Sequence, residues 1–303
     1  MIDLESKKYW IWLSLIKNLG SVKIKKMLNK YNTPKAIWNL SKKELLKIEG
    51  IGEKTVNEIL NKSYKNNIYL YMSQMIKENI GIITIEDKEY PQLLKNIYDP
   101  PIVLYYKGNK DILNNIGVSI IGCRECSEYG KKVAQNFSYN ISKENINIIS
   151  GLAKGIDTYS HVGAILSKGK TIAVVGNWLD TIYPKENKKI MDKILELNGC
   201  IISEYPIGVK PEKMNFPARN RIISGMSNAV IVVEAKKKSG TLITVDFALE
   251  QGRDVFVVPG NINSENSKGT NELIKQGAKI ITSYTDILKE YRNEIQTQNL
   301  LIE

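Results

Sequence analysis

The chain of 303 residues contains one histidine, three cysteines and four phenylalanines. With only His161 available, no second imidazole can complete a metal cluster, and no Ser-His-Asp spacing exists around it. Cys123 and Cys126 form a CxxC, the spacing of a redox pair or half of a zinc site. A structural zinc needs four ligands, and only Cys200 and His161 remain, both far along the chain. The two cysteines therefore read as small residues of a tight turn in a reducing compartment. No apolar stretch approaches the roughly 20 residues of a membrane span, and the start, MIDLESKKYW, lacks the apolar core of a signal peptide. A soluble, cytoplasmic chain without membrane contact is expected.

Positive charge is in excess. Lys and Arg number 43 against 32 Asp and Glu, a formal net charge of +11. This fits a polyanionic partner or an anionic membrane surface, and it fits equally a Lys-, Asn- and Ile-rich bias that scatters lysines over solvated faces. Only the placement of the cations separates the two.

The organising stretch runs from Gly117 to Asp157. The apolar run Val118 to Ile121 breaks at Gly122 and gives way to Val133, Phe137 and Ile141 at helical spacing. A second run, Ile146 to Ile149, then ends in the turn Gly151 to Gly155. That is a βαβ unit, whose parallel strands deliver their loops to one sheet edge. Further unbroken runs, at Ile172 to Val175, Cys200 to Ser203, Ala229 to Val233, Val255 to Val258 and Lys279 to Thr282, are strands buried on both faces. The expected class is α/β, a Rossmann-like, doubly wound, mainly parallel sheet. The expected division is a helical domain over 1–68, of helix-hairpin-helix or SAM-like type, and an extended Rossmann-like domain over 69–303. Residues 69–113 form a connector with two extra strands, Ile80 to Ile85 and Ile102 to Tyr106. The polar tail beyond Leu288 is expected to fray. In the helical part, Ser41 with Glu44 three residues on reads as an N-terminal cap. Gly50-Ile51-Gly52 reads as a hairpin that either offers amides to a phosphate or simply packs two helices.

Cations collect just after the strands: Arg124 after the first, Lys154 after the second, Lys213, Arg219 and Arg221 after Ile202, Lys236, Lys237 and Lys238 after Val233. A scattered solvated face would not sort this way. Pro217 suits a first helical turn, so Arg219 and Arg221 fall near a helix amino end, where a bound phosphate offsets the unfavourable macrodipole. Ion pairing with Glu204 or Glu234 is the other reading. Ser239-Gly240-Thr241 opens the next helix with a turn suited to anions. Phe216, between Lys213 and Arg219, is either a stacking platform for an unpaired base or an anchor into the core. The first turn, GCRECSEYG, lacks GxGxxG, and no cofactor is expected.

The order IIGCRECSEYG, IISGLAKGIDTYSH, TIAVVGNWLDTIYPKEN, SEYPIGVKPEKMNFPARNRIISGMS, VVEAKKKSGTLIT, ALEQGRDVFVVPG and KGTNELIKQGA closely resembles the DNA-processing protein A (DprA/Smf) family over roughly residues 80 to 285. The resemblance implies a non-catalytic homodimer that binds and protects single-stranded DNA and loads the recombinase RecA during natural transformation. By motif it implies DNA contacts at Arg124, Lys154, Lys213, Phe216, Arg219 and Arg221; Asn220 beside them, and Lys236, Lys238, Ser239, Gly240 and Thr241 from the loop and helix opening after Val233, complete the expected DNA-binding set. Cys123 stands where the family usually has Ser, and the winged helix that many members append has no counterpart before Glu303. A reading of another class is a nucleotide N-glycosidic hydrolase, similar to lysine-decarboxylase-like phosphoribohydrolases. Those carry PGGxGTxxE with a catalytic Glu, where this chain has KKKSGTLITVD with Asp246.

Overall fold

A computed structural model describes residues 4–17 and 19–302. Met1 to Asp3, read above for a leader, together with Asn18 and Glu303, lie outside the described residues. Among the described residues the chain opens with helices α1 (Leu4–Leu15), α2 (Ser21–Tyr31), α3 (Pro34–Trp38), α4 (Lys42–Leu46), α5 (Glu53–Ile59), α6 (Lys62–Asn66) and α7 (Ile68–Lys77). Ser41 caps α4 reciprocally with Glu44, as its spacing predicts. Gly50 sits at φ +79°, the left-handed conformation that lets the chain turn between α4 and α5, while Ile51 is buried beneath it. The helices pack on the sheet through one continuous apolar core. Trp12 meets Trp38 edge to face at 5.0 Å, and Tyr105 meets Trp178 in the same manner at 5.1 Å.

The sheet follows the apolar runs. Strands β1 (Gly81–Thr84) and β2 (Val103–Gly108) flank a short α8 (Gln92–Lys95). Then come β3 (Gly117–Gly122), α9 (Glu128–Lys143), β4 (Asn147–Ser150), α10 (Ile156–Leu166), β5 (Thr171–Val174), α11 (Lys188–Glu196) and β6 (Cys200–Ser203). The second half runs α12 (Asn215–Gly225), β7 (Ala229–Glu234), α13 (Gly240–Glu250), β8 (Asp254–Val257), α14 (Lys268–Lys275), β9 (Lys279–Ile280), α15 (Tyr284–Glu290) and α16 (Arg292–Ile302). The nine strands lie in the order β1-β2-β6-β5-β4-β3-β7-β8-β9. From β6 to β9 all pairs are parallel, and the two connector strands pair antiparallel at one side. Helices cover both faces: Phe137 and Ile141 of α9 pack under Val118 and Ile120, while Ile222 of α12 and Val245 of α13 pack over Ile121 and Val232. This is the expected doubly wound α/β sheet behind a helical start.

The tail departs from expectation. Instead of fraying, it forms α15 and α16, and Tyr291 and Ile295 are buried against the sheet core. Gln298 accepts the Ile116 amide N–H and donates to the Asn145 carbonyl, so a polar side chain docks the helix by satisfying backbone groups. Among the described residues no helix is long and apolar enough to cross a membrane.

Candidate nucleic-acid interface

The winding places the site. Strands β3 to β6 are added outward on one side of β3, and β7 to β9 outward on the other, so the order of winding, though not the strand direction, reverses between the parallel neighbours β3 and β7. The loops leaving these two neighbours part and leave a crevice at their carboxyl ends. A cavity of ≈ 600 Å³ lies there, lined by Gly122 to Glu125 after β3 and by Lys236 and Lys238 to Thr241 after β7.

Local sequence shapes each wall. Gly155, at φ +79°, lets the loop after β4 lie against the loop after β3; a Cβ there would sit 2.2 Å from the Cys123 carbonyl oxygen and 2.4 Å from that of Arg124. Ser127 caps α9 and also donates its hydroxyl to the buried carboxylate of Glu234, which holds the start of α9 to the end of β7. Ser239 caps α13 and accepts the Thr241 N–H at 3.2 Å, so the amino end of an 11-residue helix faces the crevice.

The sequence candidates separate on this frame. Arg124, Lys213, Phe216, Asn220, Lys236, Lys238, Ser239, Gly240 and Thr241 all line the crevice. Phe216 is half-buried, with the Arg124 guanidinium 5.7 Å from its ring centre. The Tyr183 ring lies 5.4 Å from it, tilted by 30°. Lys236 meets Glu125 at 3.0 Å, and Asn220 donates weakly to the Gly240 carbonyl at 3.4 Å. Lys154 stands in an adjoining small pocket and pairs with Glu186 at 2.6 Å.

Arg219 and Arg221 correct the expectation of two phosphate-facing arginines at a helix start. Helix α12 opens at Asn215, two residues before Pro217, which places both in its second turn, and both are buried. Arg219 borders the crevice but spends Nη1 on the carbonyls of Gly151 and Val174. Burial pulls its pKa down to about 10, against the pull of Asp157, whose own carboxyl burial pushes up. Arg221 points away from the crevice. It forms a two-pronged pair with Glu204 at 2.6 and 2.7 Å and donates Nε to Asp99 at 2.9 Å. Burial opposes the charge on Arg221, but Glu204 and Asp99 outweigh it and hold the guanidinium above its ordinary range. Of the partners weighed from sequence, Glu204 is the one present; Glu234 is taken by Ser127.

Tyr183 was missed. Its signal was positional: it follows β5, whose loop opens on the same edge. Asp246 is exposed on α13 and does not line the crevice. The three cysteines are free thiols, with Cys123 raised by burial, and among the described residues no cluster of three or more His, Cys, Asp or Glu suits a metal ion.

Comparison with known proteins agrees with this frame. The family model for DNA recombination-mediator protein A matches residues 81–292, and that for a SAM-like helix-hairpin-helix tandem matches residues 13–62. DNA processing protein DprA of Streptococcus pneumoniae is 48% identical over 208 residues, 69% of this chain and 73% of its own. Protein Smf of Synechocystis sp. is 38% identical over 284 residues, 92% of this chain and 71% of its own. The X-ray structure of the Streptococcus pneumoniae protein superposes with a TM-score of 0.79 at 39% identity, over 93% of this chain and 97% of that one. A structure of DNA processing protein A from Helicobacter pylori, described for its single-stranded DNA binding mode, gives a TM-score of 0.64 at 32% identity, over 70% of this chain and 96% of that one. With the family model spanning most of the sheet domain and relatives approaching half identity, the chain belongs to the DNA recombination-mediator protein A (DprA/Smf) family.

Proposed function

We propose that the protein binds single-stranded DNA in the crevice between the ends of β3 and β7, protects it, and delivers it to the RecA recombinase, acting in the cytoplasm as a homodimer and without catalysis. The observation that carries this reading is Phe216, a half-buried ring flanked by Arg124 and Tyr183 in a crevice whose rim holds Lys213, Lys236 and Lys238. An aromatic beside loop cations suits unpaired bases and a phosphate backbone, whereas duplex readers present a helix to a groove. The Helicobacter pylori relative described for single-stranded DNA binding supports the same ligand here. Dimerisation is supported by Ile280, 55% exposed on the edge strand β9, an apolar group on an open strand edge.

Gel shifts of single-stranded and duplex oligonucleotides over several salt concentrations test the binding. Single strands should bind tighter, with an affinity that falls by a slope of about 0.7 per neutralised phosphate. Arg124→Ala and Lys213→Ala should each lower that slope while the melting temperature holds. Duplex bound as tightly as single strand would overturn the reading. For delivery, RecA ATP hydrolysis on DNA covered by a single-strand-binding protein should rise when the protein is added. A hydrolase would need a free carboxylate at the sugar, yet Glu125 is paired with Lys236, and the buried carboxyl of Asp157 accepts the N–H of Gly151 and of Ala153. Nucleoside monophosphates should therefore release no base.

A further inference from the structure

A cavity of ≈ 210 Å³ opens between α2 of the helical part and the connector that joins β1 to β2, and its lining shares no residue with that of the crevice. At roughly 10–15 Å³ per water-sized group it holds about 15 heavy atoms, room for a nucleobase. Val22 and Leu28 from α2 line it together with Ile85, Pro100 and Ile102 from the connector, so the slot is mainly apolar. Its lining also includes Lys25 and Lys95, both exposed, and Tyr98, which is 85% exposed although Ile97 and Pro100 on either side of it are buried. An aromatic held out in water between anchored neighbours is a stacking surface prepared at little entropic cost. Glu86 supplies a carboxylate to the wall, and among the described residues no ion pair uses Lys25, Lys95 or Glu86.

Topology puts this slot on the same track as the crevice. Strands β1 and β6 both pair antiparallel with β2, so they run parallel to each other, and β1 ends on the sheet edge where the crevice lies. Five strand spacings separate β1 from β3, about 24 Å at ~4.8 Å each. The loop leaving β6, between them, carries the exposed Lys210 and Lys213. Residues 1–68 hold 14 lysines against 6 Asp and Glu, a balance of +8 out of the net +11. A polyanion that leaves the crevice along this edge therefore meets the most cationic part of the chain.

We propose that the slot between α2 and the connector is a second nucleotide site for the same single strand: one base stacks on Tyr98, its phosphate lies between Lys25 and Lys95, and Glu86 accepts a hydrogen bond from an exocyclic amino group. The inference rests on the single-strand reading above and adds a base-selective contact far from Phe216. Apolar walls alone would take any base. The carboxylate selects, because cytosine offers it the N4 amino group, whereas thymine presents the O4 acceptor and leaves it unpaired.

The test uses the full chain with oligodeoxycytidylate and oligothymidylate of about 20 nucleotides, long enough to cover both sites, and with trinucleotides, too short to span them. Tyr98→Ala should weaken binding of the long strands roughly 5- to 150-fold with the salt slope nearly unchanged, and leave the trinucleotides at wild-type affinity. The exposure of Tyr98 means that the melting temperature should hold. Lys25→Gln combined with Lys95→Gln should lower the slope on the long strands by about 0.7. Lys23→Gln combined with Lys30→Gln, on the same helix but outside the slot, should not. Glu86→Ala should shrink the ratio of oligodeoxycytidylate to oligothymidylate affinity by roughly fivefold. The second site is overturned by wild-type binding of long strands to Tyr98→Ala, by an equal loss on trinucleotides, by an equal slope change in the Lys23 and Lys30 pair, or by an unchanged ratio in Glu86→Ala. Lys213→Ala, measured in the same series, separates the two readings. If it weakens both lengths of strand while the slot variants are silent, the crevice stands alone; if it is silent as well, both fall.

Discussion

Arg221→Leu should destabilise the protein strongly and leave DNA binding by the folded fraction untouched. Arg221 spends its guanidinium on Glu204 at 2.6 and 2.7 Å, on Asp99 at 2.9 Å and on the Ala218 carbonyl at 2.8 Å. Its side chain is 8% exposed and that of Glu204 17%. Removing the arginine strands a largely buried carboxylate, a loss of about 3–5 kcal/mol in comparable pairs. Water reaches part of Glu204 and more of Asp99, so the low end, about 3 kcal/mol, is expected. At ~2 °C per kcal/mol for a chain of this size, the melting temperature should drop by about 6 °C. Urea titration gives the free energy, and the salt series on the same sample gives the phosphate count. Pairing Arg221→Leu with Glu204→Met should recover most of the loss, because an apolar pair leaves no buried charge. A variant that melts like wild type but loses about 0.7 of salt slope would refute this reasoning and return Arg221 to the DNA.

Three further outcomes follow from the same geometry. Phe216→Ala should weaken single-strand binding by about 1–3 kcal/mol with the salt slope nearly unchanged. Its stability cost should stay below the ~3–5 kcal/mol of a fully buried phenylalanine, since the ring is only partly covered; a larger loss with normal binding by the folded fraction would make it a core anchor. Cys123→Ser should bind DNA at least as well as wild type, because the hydroxyl can take the Lys236 amide N–H that the thiol now faces; a fall in binding on this exchange would assign the thiol a role. Burial, then the nearby charge of Arg219, lowers the His161 pKa to about 3, so the folded protein keeps the imidazole neutral while the unfolded chain protonates below about 6.5. Stability from this group is complete above that value and erodes as pH falls towards 3, by about 2 kcal/mol near pH 5. Denaturation of His161→Gln should show a flatter dependence over that window, and an unchanged dependence would point to other groups.

The sheet was legible because parallel strands buried on both faces need unbroken apolar runs, and such runs are local. Val118 to Ile121 and Ala229 to Val233 became β3 and β7 with ends moved by a residue. The crevice followed from the same pattern, since parallel strands must send their loops to one edge, and Arg124, Lys213, Phe216 and Lys236 to Thr241 all gather there. The tail was misread because α16 docks through Gln298 as well as apolar residues, and a polar glutamine carries no periodic signal of burial.

What sequence alone determined is therefore the winding of the sheet and the edge at which charge collects. Tertiary structure decided which charges remain available. Arg221 and Asp99 stand 122 positions apart, and Arg219 and the Gly151 carbonyl 68 apart. Nothing in the local pattern of FPARNR distinguishes an arginine that closes such a contact from one that faces a ligand, because burial, which sets the value of each charge, exists only once distant segments have packed.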